Sequence, residues 1–270
     1  MKLAISNIAW NPEDESTVIG WLKQFGVKGL EIAPTKIWQD PTQYKVEEAL
    51  ACKQSWFEHG LELVAMQSLL FGRADLVLFQ DEVAREALKQ YLFVIIELAG
   101  VLGTKKLVFG SPKNRLAGKL SKQEQIQIAA PFFYELGEHA MKHNVLFCIE
   151  PNAKEYGCDF VTNTDEAIEL LEIVNHKGFQ LHLDAAVMTM NGENYVQVIQ
   201  RAIPHLAHFH ISEPFLNLIG SEHTNHHAIV AALVKNQYSN WVSIEMKNGL
   251  SESNSQSVRK SLEFVTQIYK

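Results

Sequence analysis

Eight times along this chain a short, almost wholly apolar run is followed by an amphipathic stretch of helical period, and no other feature constrains the fold as tightly. The apolar runs cover residues 3–6, 29–33, 61–66, 106–110, 145–150, 179–184, 206–211 and 241–245. Most are apolar at consecutive rather than alternate positions. That is the pattern of a strand buried on both faces, as in a parallel sheet. The intervening stretches predict helices over 13–25, 41–58, 82–102, 125–142, 165–175, 193–201, 226–236 and 255–269. Ser121 with Glu124 reads as a capping box and Thr164 as an N-cap, while Pro131 should kink its helix. Strand-then-helix units without a linker or a break in composition predict one domain over 1–270, a closed (β/α)8 TIM barrel of the α/β class. A doubly wound open sheet is the alternative. It lacks a G-x-G-x-x-G after the first strand, and no G-x-x-x-x-G-K-[ST] occurs anywhere.

The run Leu146-Phe147-Cys148-Ile149 leads straight into Glu150, Pro151 and Asn152. Pro151 has no N–H and should end the strand, which leaves Glu150 as a carboxylate at the tip of a buried strand. A buried charge of this kind must be paired, hydrogen-bonded or bound to metal. The arrangement recurs at Asp184, His210 and Glu245, each closing an apolar run. The spacings are 34 (184−150), 26 (210−184) and 35 (245−210) residues, each about one β/α unit. In a TIM barrel the C-terminal strand ends build the active site. Three carboxylates and one imidazole meeting there would repel one another without a cation. Such an oxygen-rich set suits one divalent ion, Mn²⁺, Mg²⁺ or Co²⁺, with Zn²⁺ also admitted.

Other polar residues fall at strand ends or in the loops after them: Asn7, Trp10, Glu31, Gln67, Ser111, Lys113, Arg115, Asn152, His208, Glu213 and Lys247. Glu31 reads equally as a substrate contact or a salt bridge inside the barrel. Lys113, Arg115 and Lys247 would suit a phosphate or carboxylate on a substrate, against the plain alternative of a solvated loop for the first two. His208 and His210 share a face, and His210 is preferred as ligand because it ends the strand. His182 reads as a core histidine. Of His223, His226 and His227, the first is placed to touch substrate.

Net charge is −7 with a pI of about 5.9, which disfavours nucleic acid and anionic membranes as partners. Three scattered cysteines, Cys52, Cys148 and Cys158, form neither a disulfide framework nor a metal knuckle and fit a reducing, cytoplasmic setting. The start of the chain is apolar for too short a stretch to be a signal peptide, and no run is long enough to span a membrane.

Six motifs carry a resemblance to the xylose isomerase-like TIM-barrel superfamily, the sugar isomerase and epimerase branch that also contains endonuclease IV. They are Gly29-Leu30-Glu31-Ile32-Ala33-Pro34, Lys106-Leu107-Val108-Phe109-Gly110-Ser111-Pro112, Cys148-Ile149-Glu150-Pro151-Asn152, Leu183-Asp184, His208-Phe209-His210-Ile211-Ser212-Glu213-Pro214 and Ile244-Glu245-Met246-Lys247. The resemblance implies one divalent ion on Glu150, Asp184, His210 and Glu245. It makes Glu150 and Glu245 the catalytic, proton-transferring pair. Substrate contacts are expected from Glu31, Gln67, Lys113, Arg115, Asn152, His208, His223 and Lys247. The family often has a histidine three residues after the strand-6 aspartate; here that position is Val187. The extra histidines of endonuclease IV-like sites are missing as well, with Gln67, Phe109, Ser111 and Val187 near those positions.

The expected activity is a metal-dependent isomerase or epimerase of a small sugar or sugar-like molecule, acting through an enediolate. The alternatives are a polyol or inosose-type dehydratase, an endonuclease IV-like phosphodiesterase, and a non-catalytic sugar-binding barrel. A homo-oligomer is left open.

Overall fold

The computed structural model describes residues 1–250 and 253–269. Residues 251, 252 and 270, which belong to the expected 1–270 domain, lie outside the described residues. Strands β1 (Lys2–Ser6), β2 (Gly29–Ile32), β3 (Glu62–Met66), β4 (Lys106–Phe109), β5 (Leu146–Ile149), β6 (Phe179–Asp184), β7 (Leu206–Ser212) and β8 (Trp241–Glu245) run parallel, each beside the next. Pairing of β1 with β8, Leu3 opposite Val242 and Ile5 opposite Ile244, closes the barrel and removes the open-sheet alternative. Helices α1 (Glu15–Phe25), α2 (Val46–Glu58), α3 (Glu82–Leu102), α4 (Lys122–Lys142), α5 (Thr164–Val174), α6 (Ala185–Met190), α7 (Tyr195–Ala202), α8 (His226–Lys235) and α9 (Asn254–Ile268) connect them.

Several expected boundaries move, each for a local reason. The helix expected over 41–58 begins at Val46, because Asp40 caps a separate 3-10 turn at Pro41–Gln43. Asn163, not Thr164, caps α5: its side chain accepts from Glu166 N, while Thr164 Oγ1 donates to Glu193. Helix α4 runs as one element through Pro131, whose ring lies on the exposed face where water can serve the freed carbonyl. The Ser121–Glu124 capping box forms in full. The short helix α6 has no counterpart among the expected elements; Asp184 caps it by accepting from Val187 N at 2.8 Å.

The core lies between the sheet and the helices, with further packing inside the barrel. Phe133 of α4 stacks on Phe179 of β6 at 4.7 Å between centroids and meets Phe109 edge-on at 5.9 Å. All three are fully buried, and each such ring contributes on the order of 1.5–3 kcal/mol by transfer from water. This packing fixes the strand ends on which the site depends. Among the described residues no helix is long and apolar enough to cross a membrane.

Candidate active site

Strand β5 ends at Ile149, as Pro151 requires, and Glu150 follows with its N–H still donating to Phe109 O at 3.1 Å. The carboxylate therefore leaves the sheet at a fixed point on the barrel mouth. Asp184 and Glu245 are the last residues of β6 and β8, and His210 lies two before the end of β7. One ligand atom from each of Glu150, Asp184, His210 and Glu245 lies within 4.8 Å of the others. Glu150, Asp184 and Glu245 line a cleft of about 290 Å³ together with Gln67, Ser68, Gly110, Ser111, Asn152, Tyr156, Val187 and Leu216. Larger hollows, of about 680 and 1010 Å³, lie on the helical surroundings of the barrel and gather no comparable set of buried acids.

His210 is held from below. Its Nε2 donates to Glu31 Oε2 at 2.9 Å, and Glu31 is fully buried. That bond leaves Nδ1 facing the acids, 3.2 Å from Glu245 Oε2 and 4.0 Å from Asp184 Oδ2, with no aligned hydrogen bond. A buried ring nitrogen without a hydrogen-bond partner, aimed among three carboxylates, is what a metal ligand needs. The carboxylate–histidine pairing beneath it is the usual means of orienting one. A divalent cation with an oxygen-rich preference fits this donor set.

The electrostatics agree with the geometry. Burial, then repulsion from Glu245 and Asp184, pushes the Glu150 carboxyl up to about 8. Burial and Glu245 push Asp184 up to about 6, although Ser212 Oγ donates to it at 2.5 Å. Burial alone would depress His210, but Glu31 and Glu245 hold it well above the ordinary imidazole value. Glu31, despite burial, is held well below the usual carboxylate range by His210 and His208. His208 and His182 are both depressed, first by burial. The mouth thus carries more negative charge than its own residues neutralise.

The structure divides the expected substrate contacts into two groups. Gln67 and Asn152 line the cleft. Glu31 and His208 do not: His208 Nε2 stands 3.3 Å from Glu31 Oε1 inside the barrel, and Glu31 is bonded to His210, so Glu31 is a support for His210 and not a wall of the cleft. Arg115 is fully buried and donates to the Glu150 carbonyl at 2.6 Å, fixing the loop from behind. Lys113, His223 and Lys247 are exposed and absent from the cleft lining, so among the described residues no basic side chain lines the cleft. Glu213 and His226 are buried together at 3.1 Å, with Tyr269 OH on the other ring nitrogen, so both nitrogens of His226 are occupied. His182 is a fully buried interior histidine.

Ser212 and Tyr156 also stand at the mouth, where the sequence reading did not single them out. Ser212 bridges Asp184 and Ala186 N, and its position two after His210 was a signal for the same face. Tyr156 sits in a 3-10 turn after β5 with no pattern to mark it; its OH accepts from Phe215 N at 2.9 Å across the mouth. Backbone strain gathers around the cleft. Ser68, Ser111, Phe215 and Leu216 all have φ between +41° and +60°, where side chains other than glycine are disfavoured.

A family model described as xylose isomerase-like TIM barrel matches residues 19–268. No curated protein matches the chain significantly by sequence. Among solved structures, D-psicose 3-epimerase from Clostridium cellulolyticum H10, with D-tagatose, is 16% identical with a TM-score of 0.82 and full coverage of both chains. The 3-keto-D-glucoside 4-epimerase of E. coli is 20% identical, with a TM-score of 0.80 and 99% of both chains covered. The IolI protein with a bound zinc atom is 17% identical, with a TM-score of 0.76, covering 100% of this chain and 98% of that one.

Proposed function

The chain belongs to the xylose isomerase-like TIM-barrel family, and from that premise we propose that it is a divalent-metal-dependent isomerase or epimerase of a small sugar or sugar derivative. The observation that carries this reading is the meeting of Glu150, Asp184 and Glu245, which line one cleft, with the buried His210 Nδ1 beneath them. The epimerases and the zinc-containing IolI protein that share the fold lend it support.

When bound, a divalent cation on Glu150, Asp184, His210 and Glu245 would polarise a substrate carbonyl and offset the charge that develops as an α-proton leaves. The rest falls to the chain. One of Glu150 and Glu245 removes the proton on the carbon beside the carbonyl; return by the other, from the opposite face, inverts that carbon. Return to the former carbonyl carbon gives isomerisation instead. Asp184 and His210 would hold the cation, with Ser212 and Glu31 fixing their orientation. Asn152 and Gln67 face the cleft to meet hydroxyls, although Gln67 Nε2 already donates to Ser6 Oγ at 2.7 Å. Val187 gives one wall an apolar surface, so that side should take a carbon face rather than a hydroxyl. A phosphodiesterase reading has less support, because Gln67 and Val187 stand where its further histidines would be needed.

The test is incubation of the Mn²⁺-loaded chain with ketopentoses and ketohexoses in D₂O, followed by NMR. Deuterium beside the carbonyl of at least one sugar is expected, with a new epimer or isomer, and Glu150→Gln should abolish it. A product that has lost water would move the assignment to a dehydratase. Sugars that bind without exchange would make the barrel a binding protein.

A further inference from the structure

A second group of metal-ligating side chains lies away from the mouth, on the outer helices. His139 and His143 stand four residues apart at the C-terminal end of α4, so both imidazoles project from one face. Glu97 faces them from α3, and one ligand atom from each of the three lies within 4.8 Å of the others. We propose that Glu97, His139 and His143 form a second site, specific for a borderline divalent ion such as Zn²⁺, that clips α3 to α4.

The local geometry supports it. His139 Nε2 lies 3.2 Å from Glu97 Oε1 yet is buried without an aligned hydrogen bond. Tetrahedral zinc with bonds of roughly 2.0–2.1 Å separates neighbouring ligand atoms by about 3.3 Å, so this pair already stands at the edge length of such a site. The His139 ring is fixed in place by stacking on Phe93, at 4.1 Å and 18°. His143 is admitted against α3 by Gly100: a Cβ there would come within 3.0 Å of His143 Cβ and 3.1 Å of its carbonyl oxygen. The rings of His139 and His143 are 4.8 Å apart, which sets the third ligand beside the first two. All three residues are half-buried, which gives an ion access and leaves a fourth position for water.

The donor set differs from that of the mouth. Two imidazoles and one carboxylate favour zinc over Mg²⁺ or Mn²⁺, whereas the mouth offers three carboxylates. The test is equilibrium dialysis of the metal-free full chain against Zn²⁺, with circular dichroism to confirm folding. The wild type is expected to hold two zinc ions per chain. His143→Gln and Glu97→Gln should each hold one, Asp184→Asn one, and the combination of Asp184→Asn with His143→Gln none. Equal zinc in wild type, His143→Gln and Glu97→Gln would overturn the proposal. Loss of the mouth reading has a different signature: one zinc in the wild type, unaffected by Asp184→Asn and removed by His143→Gln.

Discussion

Strands β5 to β8 carry Glu150, Asp184, His210 and Glu245 at their C-terminal ends, whereas polar groups at the ends of β1 to β3 are engaged by neighbours, two of them within the same half and Glu31 by histidines of β7. Gln67 donates to Ser6 Oγ, Asn7 accepts from Ala33 N, and Glu31 pairs with His208 and His210. In the second half three acids crowd one point and the Glu150 carboxyl rises to about 8. The difference shows how one repeated β/α unit serves two purposes. The first half supports the geometry, with Glu31 bracing His210 from across the barrel; the second half carries an excess of negative charge that a cation could offset.

The largest effect should follow removal of an acid from the second half. Glu150→Gln is expected to cost roughly 10²–10⁴-fold in turnover. The same change should raise the melting temperature of the metal-free chain at pH 8, because it removes a repelling charge. Loss of activity with loss of stability would contradict the comparison. Next comes the contact between the halves at Gly110, where an added Cβ would collide with Glu150 Oε2. Gly110→Ala should displace that carboxylate and cost up to about 100-fold in kcat with little change in fold, read by steady-state kinetics and circular dichroism.

Glu31→Gln tests the supporting half. The amide can still accept from His210 Nε2 but carries no charge, so metal affinity should fall about 10–100-fold by titration while the cleft stays intact. Unchanged affinity would mean that β2 gives His210 no electrostatic support.

A pH series is gentler still. Glu150 rises from 4.5 to about 8 and Asp184 from 3.8 to about 6, so the folded, metal-free chain keeps protons that the unfolded chain has lost. Stability held at low pH is therefore lost as pH rises through these folded values, and raised His210 acts in the same direction above 6.5. Depressed His208 and His182 oppose this only below about 6.5, where the unfolded imidazoles begin to charge. Between about pH 6.5 and 8 the metal-free melting temperature should fall, and added Mn²⁺ should restore it most at pH 8. The smallest effect is expected at Lys113, exposed and outside the cleft, where Lys113→Ala should change kcat/KM less than about twofold.

Much of this was legible before the structure. Consecutive apolar runs announce buried parallel strands, and acids that close such runs announce the mouth. Glu31 was harder, because a buried carboxylate at a strand end looks the same whether it meets substrate or a histidine; only closure of the barrel, which brings β7 across from β2, decides. Lys113, His223 and Lys247 show the opposite failure: lying in the right loop says nothing of whether a long side chain turns inward. Tyr156 and the strained pair Phe215 and Leu216 depend on contacts between loops after different strands, and no local pattern records those.

The most direct test of the central claim is Mn²⁺ binding followed by electron paramagnetic resonance on the full chain at pH 7.5, in wild type and Asp184→Asn. One Mn²⁺ per wild-type chain is predicted, lost in the variant, and unaffected by His143→Gln. Absence of bound Mn²⁺ in the wild type, or equal binding in Asp184→Asn, would contradict a metal centre at the barrel mouth.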